Sequence, residues 1–385
     1  MVAVTRTYLD HAASAPLHPA AREAMVEVLE RIHGNPSSPH AEGRAAKDVL
    51  EDARTRVAGS LRCRPREVVF TGSGTEAAQI GLRGAARARA AVSRRVVVSV
   101  VEHPAVLEAA EALGEEGFTV ARAPVDTRGR VDAGAFLDAV GADAAVAALM
   151  LANHETGAVM PVAEVGRALR ARGIPLLCDA ALAPGRLPFE PDAVAADLVV
   201  LSGHKFGGPK GIGALYVRRR TRVEPLIRGG LQEERLRPGT EHVAGAAGFA
   251  VALERAVEER PARAQALAAL AARFLGGLEA LDGWSRVGPP DEALPGLVTV
   301  ELDGVEGEAA MINLDLEGFA VATGSTCALG GTDPSPSLLA MGLTPRRAAS
   351  TVRVTFGEGN TDADAERAAA ALVRIVQRLR SLASL

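Results

Sequence analysis

Apolar segments of strand length alternate with segments of helical period through residues 66–217, and this alternation most constrains the fold. The apolar segments are rich in valine, isoleucine and leucine: EVVFT (67–71), RRVVVSVV (94–101), VAALML (146–151), IPLLCDA (174–180) and DLVVLSG (197–203). The alanine-rich segments between them include residues 75–91, 104–115 and 161–172. Strands that are continuously apolar and separated by helices are typical of a parallel sheet buried on both faces. The sequence therefore predicts an α/β fold with a mostly parallel sheet.

The C-terminal part of the chain has a different order of predicted elements. A long alanine-rich helical segment (242–281) is followed by a strand (296–302), a helix (307–316), two further strands (318–323 and 350–356) and a terminal helix. Thr361 is a suitable N-cap for that last helix. This order predicts a smaller α+β domain. We expect a large domain of residues 15–255 and a small domain of residues 1–14 and 256–385, with the boundary inside the long helical segment.

Composition and charge argue against several classes of protein. The chain has 385 residues, of which 48% are hydrophobic and 23% charged, a balance typical of soluble globular proteins. The net charge is −4, and the only arginine run is 218–220, so direct nucleic-acid binding is not expected. No apolar run is long enough to span a bilayer, and the start MVAVTRTYLDH lacks a signal-peptide pattern. We therefore expect a cytoplasmic protein without a membrane partner.

The three cysteines, Cys63, Cys178 and Cys327, have no C-x-x-C spacing, which argues against a disulfide scaffold or a structural zinc site. Cys327 lies in GSTCALGG (324–331), where glycines on both sides permit motion of a reactive loop. Cys63 stands between Arg62 and Arg64, which predicts a lowered thiol pKa and an exposed side chain. Cys178 belongs to a buried apolar strand, so we expect it to be an inert core residue.

The segment LSGHKFGGPKGIGALYV (201–217) is unusual in its lysines. The chain has 43 basic residues, and only Lys47, Lys205 and Lys210 are lysines. Lysine, unlike arginine, can lose its proton when it is desolvated and then act as a nucleophile. A lysine in a glycine-rich segment between two apolar runs is therefore a candidate catalytic residue.

A candidate anion site follows the first strand of the alternating region. Gly72-Ser73-Gly74-Thr75 opens a helix, and the free N–H groups of a helix N-terminus bind phosphate well where glycine lets the backbone approach. The pattern G-x-G-x-x-A also partly matches a dinucleotide fingerprint, although the usual acidic residue is absent at its spacing. A tight strand-to-helix turn without a ligand explains the same residues equally well.

Polar residues also follow the other strands of the alternating region. His103 precedes Pro104, His154 lies in NHETG, Asp179 ends an apolar strand, and Ser202-Gly203-His204 precedes Lys205. Each has an ordinary structural explanation, such as a helix cap for His103 or Asp179. In an α/β sheet, however, the carboxyl ends of parallel strands meet at one edge, where ligands bind. A phosphate cradle, a carboxylate, a histidine and a lysine together indicate pyridoxal phosphate.

These motifs resemble the class V pyridoxal-phosphate enzymes, and among them the cysteine desulfurases. The resemblance covers nearly the whole chain: YLDHAASAPL, GNPSSPHAEGRAA, VVFTGSGTEA, EHPAVL, NHETG, CDAALAPGRLP, SGHKFGGPKGIGALYVR, RPGTEH, ATGSTCALGGTDPSPSLLAMGL and STVRVTFG. It implies fold type I of pyridoxal-phosphate enzymes, with a mostly parallel sheet of the seven-stranded type in the large domain and a smaller α+β domain. It also implies a homodimer.

The resemblance assigns a role to each matching residue. Lys205 corresponds to the Schiff-base lysine, Asp179 to the partner of the pyridine nitrogen, and His103 to the histidine stacked on the ring, a candidate acid or base. Arg353 corresponds to the arginine that binds the substrate carboxylate, and Cys327 to the nucleophile that accepts sulfur. The remaining matches are phosphate contacts: Gly74, Thr75, Ser202, His204 and, from the second subunit, Thr240 of RPGT.

Two positions depart from the family pattern. Leu182 stands where the family usually has a glutamine that donates to the cofactor phenolate oxygen, and leucine cannot donate. His154 stands where the family usually has asparagine; it can donate, and we expect it to contact the cofactor. The chain also lacks the extended tail by which housekeeping desulfurases engage an iron–sulfur scaffold, which suggests a dedicated acceptor protein. Among desulfurases, the resemblance extends to those that serve phosphorothioation of the DNA backbone.

The resemblance implies conversion of L-cysteine to L-alanine, with a persulfide on Cys327 and transfer of its sulfur to an acceptor protein. Other class V enzymes remain alternatives, namely an aminotransferase or a selenocysteine- or kynurenine-type lyase, which do not need Cys327. A non-catalytic docking platform of the same fold is another alternative, and a nicotinamide dehydrogenase would rest on the glycine pattern alone.

Overall fold

The protein is described by a computed structural model that covers residues 6–324 and 334–383. Its strands are β1 (Thr7–Tyr8), β2 (Val68–Thr71), β3 (Arg95–Ser99), β4 (Thr119–Ala123), β5 (Val146–Ala148), β6 (Leu176–Asp179), β7 (Leu198–Ser202), β8 (Gly213–Val217), β9 (Trp284–Val287), β10 (Leu297–Leu302), β11 (Phe319–Ala320), β12 (Ala322–Thr323) and β13 (Thr351–Thr355).

The α-helices of these residues are α1 (Pro19–Arg31), α2 (Ala41–Leu61), α3 (Gly74–Ala88), α4 (Pro104–Glu115), α5 (Ala133–Val140), α6 (Val162–Ala171), α7 (Val243–Glu258), α8 (Arg260–Gly276), α9 (Gly307–Leu316), α10 (Pro336–Ala340), α11 (Pro345–Ala349) and α12 (Asp362–Ala383). Short 3₁₀ helices cover Pro65–Glu67, Gly203–Lys205 and Glu233–Arg235. Thr361 caps α12 as predicted, since its hydroxyl accepts a hydrogen bond from the Asp364 amide at 3.3 Å.

Seven strands form the large sheet, in the order β2-β8-β7-β6-β5-β3-β4. The pairs from β7 to β4 are parallel, and β8 alone runs against its two neighbours. The central strands are fully buried because helices cover both faces of the sheet, which explains their continuous apolar sequences. The predicted α/β fold with a mostly parallel central sheet is confirmed.

The edge strand β4 of the large sheet and the helix that follows it, α5, had no strong sequence signal. The edge strand β4 has only one fully buried residue, Ala123, and α5, which follows it, has eight residues. An edge strand is packed on fewer sides, so its sequence need not be apolar throughout. The apolar-run criterion therefore missed β4 and the helix after it.

The small sheet is antiparallel, in the order β12-β13-β10-β9. Helices α8 and α12 pack on it and share an apolar core that includes Phe274, Phe356 and Leu372. The N-terminal strand β1 lies beside β11 in a two-stranded parallel sheet, and Leu9 belongs to the same core. The N-terminal residues thus belong to the packing of the C-terminal part, as the predicted domain division requires; the division itself stays a prediction.

The long helical segment predicted for residues 242–281 is two helices. The first, α7, ends at Glu258, and α8 begins at Arg260 with Pro261 in its first turn. Proline has no N–H to donate and fits only the first turn of a helix, so a new helix starts there. The prediction of one continuous helix was wrong. None of the helices in residues 6–324 and 334–383 has the length and apolar character needed to cross a membrane.

Candidate active site

The turn after β2 is shaped to approach β7 closely. A Cβ atom on Gly74 would lie 2.9 Å from the Cβ of Ser202, so only glycine fits there. The Ser73 hydroxyl caps α3 by accepting from the Glu76 amide at 3.1 Å. Thr75, in the first turn of α3, is exposed, and Ser202 is the buried last residue of β7. The predicted phosphate residues Gly74, Thr75 and Ser202 therefore surround one helix N-terminus.

Lys205 ends the 3₁₀ turn that follows β7. Its Nζ donates hydrogen bonds to the backbone carbonyls of Ala12 at 2.7 Å and Ala13 at 3.0 Å. The neighbouring His204 places its Nδ1 3.3 Å from the Ser14 hydroxyl. Burial and then the charge of Lys205 lower the pKa of His204 to about 4, so at neutral pH it is an uncharged hydrogen-bonding group. The N-terminal segment thus forms one wall of the site.

His103 and Asp179 lie at the carboxyl-end side of two strands of the large sheet, β3 and β6, which β5 separates. Asp179 is the last residue of β6, and its Oδ1 accepts from the Ala181 amide at 3.0 Å. His103 is the N-cap of α4, and its Nδ1 accepts from the Ala105 amide at 3.1 Å. The helix-cap interpretation of His103 is therefore correct, and it leaves Nε2 as the protonated nitrogen of the neutral ring. Burial lowers the pKa of His103, while the charge of Asp179 raises it and that of Lys205 lowers it.

His154 faces His103 across the site. The ring centroids are 5.3 Å apart and the planes cross at 64°. Burial is the main cause of a His154 pKa well below the usual value, and nearby positive charges lower it further. Its Nδ1 is buried and makes no hydrogen bond within residues 6–324 and 334–383. A neutral imidazole with an unsatisfied ring nitrogen can donate to, or accept from, a ligand in the site.

Arg353 reaches the same place from β13 of the small sheet. Its two terminal nitrogens donate to the His154 carbonyl and to Oδ1 of Asp10, both at 2.9 Å. The Arg353 side chain is 8% exposed, so its charge is largely shielded from water and balanced by Asp10. A buried, oriented guanidinium is suited to recognise a carboxylate.

Leu182 has a packing role in the structure. It is 8% exposed and belongs to a small apolar cluster with Ala12, Ala152, Leu294 and Leu297. Thr240 differs from the other predicted site residues, because it is exposed and no hydrogen bond from its side chain occurs in the part of the chain that the structure describes. Thr240 thus shows no contact with the site of its own chain.

The cysteines have different outcomes. Cys327 falls outside the described residues. Cys178 is fully buried in β6, and burial raises its thiol pKa well above the usual value, which agrees with an inert core residue. The prediction for Cys63 was wrong: the side chain is only partly exposed, and burial, followed by the charges of Glu67 and Asp192, raises its pKa to about 12. Burial and nearby acids outweigh the two flanking arginines.

Sequence reasoning missed Asp10 and Glu102. Asp10 had no local signal for a pair with an arginine 343 positions away. Glu102 is 1% exposed, and its Oε1 accepts from the Met150 amide at 2.7 Å. Burial raises the pKa of Glu102 to about 8, and the negative charge of Asp179 raises it as well. A glutamate directly after an apolar strand and before His103 was a usable signal, because buried carboxyl groups are rare without a special role.

Comparison with known proteins finds relatives along almost the whole chain. The Aminotransferase class-V family model matches residues 7–368. A "Cysteine desulfurase IscS" of Dictyoglomus turgidum is 36% identical over 376 residues, covering 97% of this chain and 95% of the relative. An "IscS-like cysteine desulfurase" of Mycobacterium tuberculosis is 39% identical over 384 residues, covering 98% of both chains.

Solved structures give the same result. A "NIFS-LIKE PROTEIN" superposes with a TM-score of 0.91 at 31% identity, over 97% of this chain and 100% of that one. DndA from Streptomyces lividans has a TM-score of 0.78 at 32% identity, and a structure of SspA in complex with cysteine has 0.79 at 30%. Each of these two similarities covers 91% of this chain and 99% of the other. With matches of this length and identity to the family model and to curated desulfurases, the chain belongs to the aminotransferase class-V family as a pyridoxal-phosphate-dependent cysteine desulfurase.

Proposed function

We propose that this desulfurase converts L-cysteine to L-alanine with a persulfide on Cys327, and that it passes the sulfur to an acceptor protein. The observation that carries the proposal is the convergence of Lys205, His103 and Asp179 from the large sheet with Arg353 from the small one. Lysine, acid–base, carboxylate and carboxylate-binding groups are the set that cysteine chemistry needs.

The residues present fit the cofactor. The glycine at position 74 leaves the α3 N-terminus accessible, as a phosphate group requires, with Thr75, Ser202 and His204 as further donors. The buried Nδ1 of His154 lacks a protein partner among the described residues, which suits contact with the ring. Asp179 would hold the proton of the pyridine nitrogen. When bound, pyridoxal phosphate supplies the electron sink that makes the Cα proton of cysteine removable.

The chain's own residues position the substrate and move its protons. Arg353 would bind the substrate carboxylate through its terminal nitrogens, which Asp10 and the His154 carbonyl already orient. Lys205 would hold the cofactor and then take the Cα proton with its free amine. His103, neutral at physiological pH because burial lowers its pKa, would serve as a further acid or base through Nε2.

The sulfur step involves two sulfur atoms. The Cys327 thiolate attacks the substrate sulfur, so an S–S bond forms while the Cβ–S bond of the substrate breaks. The electron pair of that bond stays with carbon, which takes a proton to complete alanine. The terminal sulfur of the Cys327 persulfide is then available to an acceptor. We propose an acceptor that serves DNA phosphorothioation, on the basis of the sequence resemblance and of the similarity to DndA.

Cys327→Ser tests this function. The variant should bind cofactor and cysteine but make no persulfide and almost no alanine, because serine cannot form the S–S bond. Cys63→Ser and Cys178→Ser are the matched controls and should keep most activity. Mass spectrometry after exposure to cysteine should place one added sulfur on the peptide that contains Cys327. Added sulfur on Cys63, or turnover of Cys327→Ser at the parental rate, would favour a lyase or aminotransferase instead.

We further propose a cytoplasmic homodimer in which Thr240 of each subunit contacts the cofactor phosphate of the other. The exposed position of Thr240 supports this, since its hydroxyl has no hydrogen bond in the described part of its own chain. Thr240→Ala should weaken cofactor retention while light scattering still shows a dimer. A fully active monomer would contradict the shared site.

A further inference from the structure

The segment 229–242, called here the crossing loop, contains a strained piece of backbone. Glu233, Glu234 and Arg235 are consecutive and have φ angles of 48°, 52° and 66°. For residues with a side chain this left-handed conformation is strained, because Cβ lies too close to the following carbonyl oxygen. Such conformations persist where surrounding contacts hold them in place. The contacts that hold these three residues therefore identify what the loop is fixed to.

A buried ion pair is the main attachment. Each carboxylate oxygen of Glu233 accepts a hydrogen bond from one terminal nitrogen of Arg54, both at 2.7 Å. The Arg54 side chain is 9% exposed and that of Glu233 is 1% exposed. Burying two charges is favourable only when the geometry is good and the remaining donors and acceptors are satisfied. That condition is met here, which indicates a specific arrangement.

The same pair is bonded to the strand that precedes the phosphate turn. Glu233 Oε2 also accepts from the Phe70 amide at 2.7 Å, and Arg54 Nη1 donates to the Val68 carbonyl at 2.8 Å. The guanidinium also lies over the Phe70 ring, 5.1 Å from its centroid. Both members of the pair thus bond to β2 and attach the crossing loop to it. The bonded Phe70 stands two residues before Gly72 of the phosphate turn.

A second attachment lies further along the loop. Arg237 Nε is 3.3 Å from Glu76 Oε1, and the other oxygen of Glu76 accepts from the Gly72 amide. Arg237 is therefore linked to the backbone of the phosphate turn itself. Beyond Arg237 the loop turns outward, and Gly239 and Thr240 are exposed. The loop is fixed to its own chain at Glu233 and Arg237, while Thr240 points away from it.

We propose that Arg54 and Glu233 are positioning residues that hold the crossing loop so that Thr240 reaches the cofactor phosphate of a second copy of this chain. The inference rests on the proposed homodimer with Thr240 shared between subunits. It adds that a buried pair in one subunit sets the cofactor affinity of the other. Arg54 and Glu233 would act through the position of the loop.

The test uses dimers made of two differently tagged subunits, with cofactor binding limited to one of them by Lys205→Ala in the other. In the first arrangement, Glu233→Gln is placed in the subunit that carries Lys205→Ala. In the second, Glu233→Gln is placed in the subunit that keeps Lys205. Pyridoxal phosphate is titrated into each apo-dimer and followed by absorbance, with borohydride capture to identify the labelled subunit.

The expected result is an asymmetry. In the first arrangement the affinity should fall by roughly tenfold, the effect of losing one hydrogen bond to a charged group. In the second arrangement it should change by less than about twofold. Arg54→Lys keeps the charge but not the two-bond geometry, so it should lower cofactor affinity by a smaller factor, and in the first arrangement only. It replaces Glu233→Gln if that variant does not fold.

Equal losses in both arrangements, or a loss only in the second, would overturn the inference, because the pair would then support its own site or the fold in general. Glu254→Gln is the matched control: it breaks the Arg56–Glu254 pair between α2 and α7, outside the crossing loop, and should change neither arrangement. Thr240→Ala in the same two arrangements separates the two proposals. If Thr240→Ala acts only within its own subunit, the proposed shared site fails and not merely the role of Arg54.

Discussion

The two sheets contribute to the candidate active site in different ways. The large sheet places its candidate site residues at or beyond the strand ends, as with Asp179 at the end of β6 and Lys205 after β7. The small sheet contributes Arg353 from within a strand, with neighbours Thr299 on β10 and Ala322 on β12. A residue in a strand has less freedom to move than one in a loop.

This difference has a chemical counterpart. The residues on the large sheet are those proposed to hold the cofactor, whereas the residue on the small sheet is proposed to hold the substrate carboxylate. The N-terminal segment joins the two, because Asp10 pairs with Arg353 and the next residues accept hydrogen bonds from Lys205. The comparison predicts that changes on the large sheet affect cofactor binding, and that changes on the small sheet affect substrate affinity with the cofactor retained.

The strongest test on the large sheet is Lys205→Ala. The variant should be colourless and should lose all detectable turnover, because alanine offers no amine for the cofactor or for the Cα proton. Absorbance of the purified protein and borohydride reduction followed by peptide mass spectrometry measure this. Lys210→Ala is the matched control and should stay yellow. A reduced cofactor adduct on Lys210 in the parent protein would contradict the assignment.

The corresponding test on the small sheet is Arg353→Lys. Lysine keeps the positive charge but cannot make the two directed hydrogen bonds, so KM for cysteine should rise by roughly 10- to 100-fold. Cofactor content should not change. Arg347→Lys, where an exposed arginine pairs with the buried Glu301 close to β13, is the control and should leave KM within about twofold. Loss of the cofactor in Arg353→Lys would remove the distinction between the two sheets.

A third test concerns pH and the buried acid beside the large-sheet residues. Burial raises the folded-state pKa of Glu102 from the ordinary value of 4.5 to about 8. At a pH between these two values, Glu102 is protonated in the folded protein and ionised in the unfolded chain. The free energy of unfolding of the apo-protein should therefore fall as pH rises through this window.

Between pH 6 and 8 the ionisation of Glu102 should lower the free energy of unfolding by roughly 1–3 kcal/mol. Glu102→Gln cannot ionise at this position. Its free energy of unfolding, measured with urea at pH 6, 7 and 8, should therefore depend less on pH than that of the parent. Glu111→Gln, at an exposed pair with Arg122, is the control and should follow the parental curve. Parallel curves for Glu102→Gln and the parent would show that Glu102 ionises normally.

The smallest effect is expected at Leu182. Leu182→Gln restores the amide that the family usually has, but it also buries a polar group in an apolar cluster. We expect a shift of the cofactor absorbance, turnover within roughly fivefold of the parent, and about 1–3 kcal/mol lower stability. Spectroscopy and calorimetry measure these changes. Leu187→Gln, beside the same cluster, is the control and should lower stability without the spectral shift. The same shift in Leu187→Gln would show that the effect of Leu182→Gln does not come from contact with the cofactor.

Much of the large-sheet site could be predicted from sequence, because each residue stands directly after an apolar strand. Lys205, Asp179 and His103 were found by this rule, and the parallel sheet brings the strand ends to one edge. The features that were missed join residues far apart in the chain. The pair Asp10–Arg353 spans 343 positions, and the hydrogen bond from Lys205 to Ala12 uses a backbone carbonyl that no side chain marks.

The error at Cys63 has a related cause. The adjacent arginines were visible in the sequence, but the burial of the thiol, and the charge of Asp192, depend on packing across the fold. The break near Pro261 was visible in the sequence as well, since proline interrupts a helical pattern unless it lies in the first turn. Local signals were therefore sufficient for the strongly apolar strands and the residues at their ends, and insufficient for the edge strand β4, for burial and for long-range pairs.

The attachment of the N-terminal segment has a consequence for synthesis on the ribosome. Domains generally begin to fold from the N-terminal side during translation, at about 5–20 residues per second. Here, however, the Leu9 amide donates to the Ala320 carbonyl and the Leu9 carbonyl accepts from the Thr355 amide. Asp10 pairs with Arg353. Leu9 and Asp10 therefore cannot take their final place until the chain up to Thr355 has emerged. A nascent chain with the large sheet already formed would still lack Arg353, the residue proposed to bind the substrate carboxylate, so activity can arise only after that residue has left the ribosome.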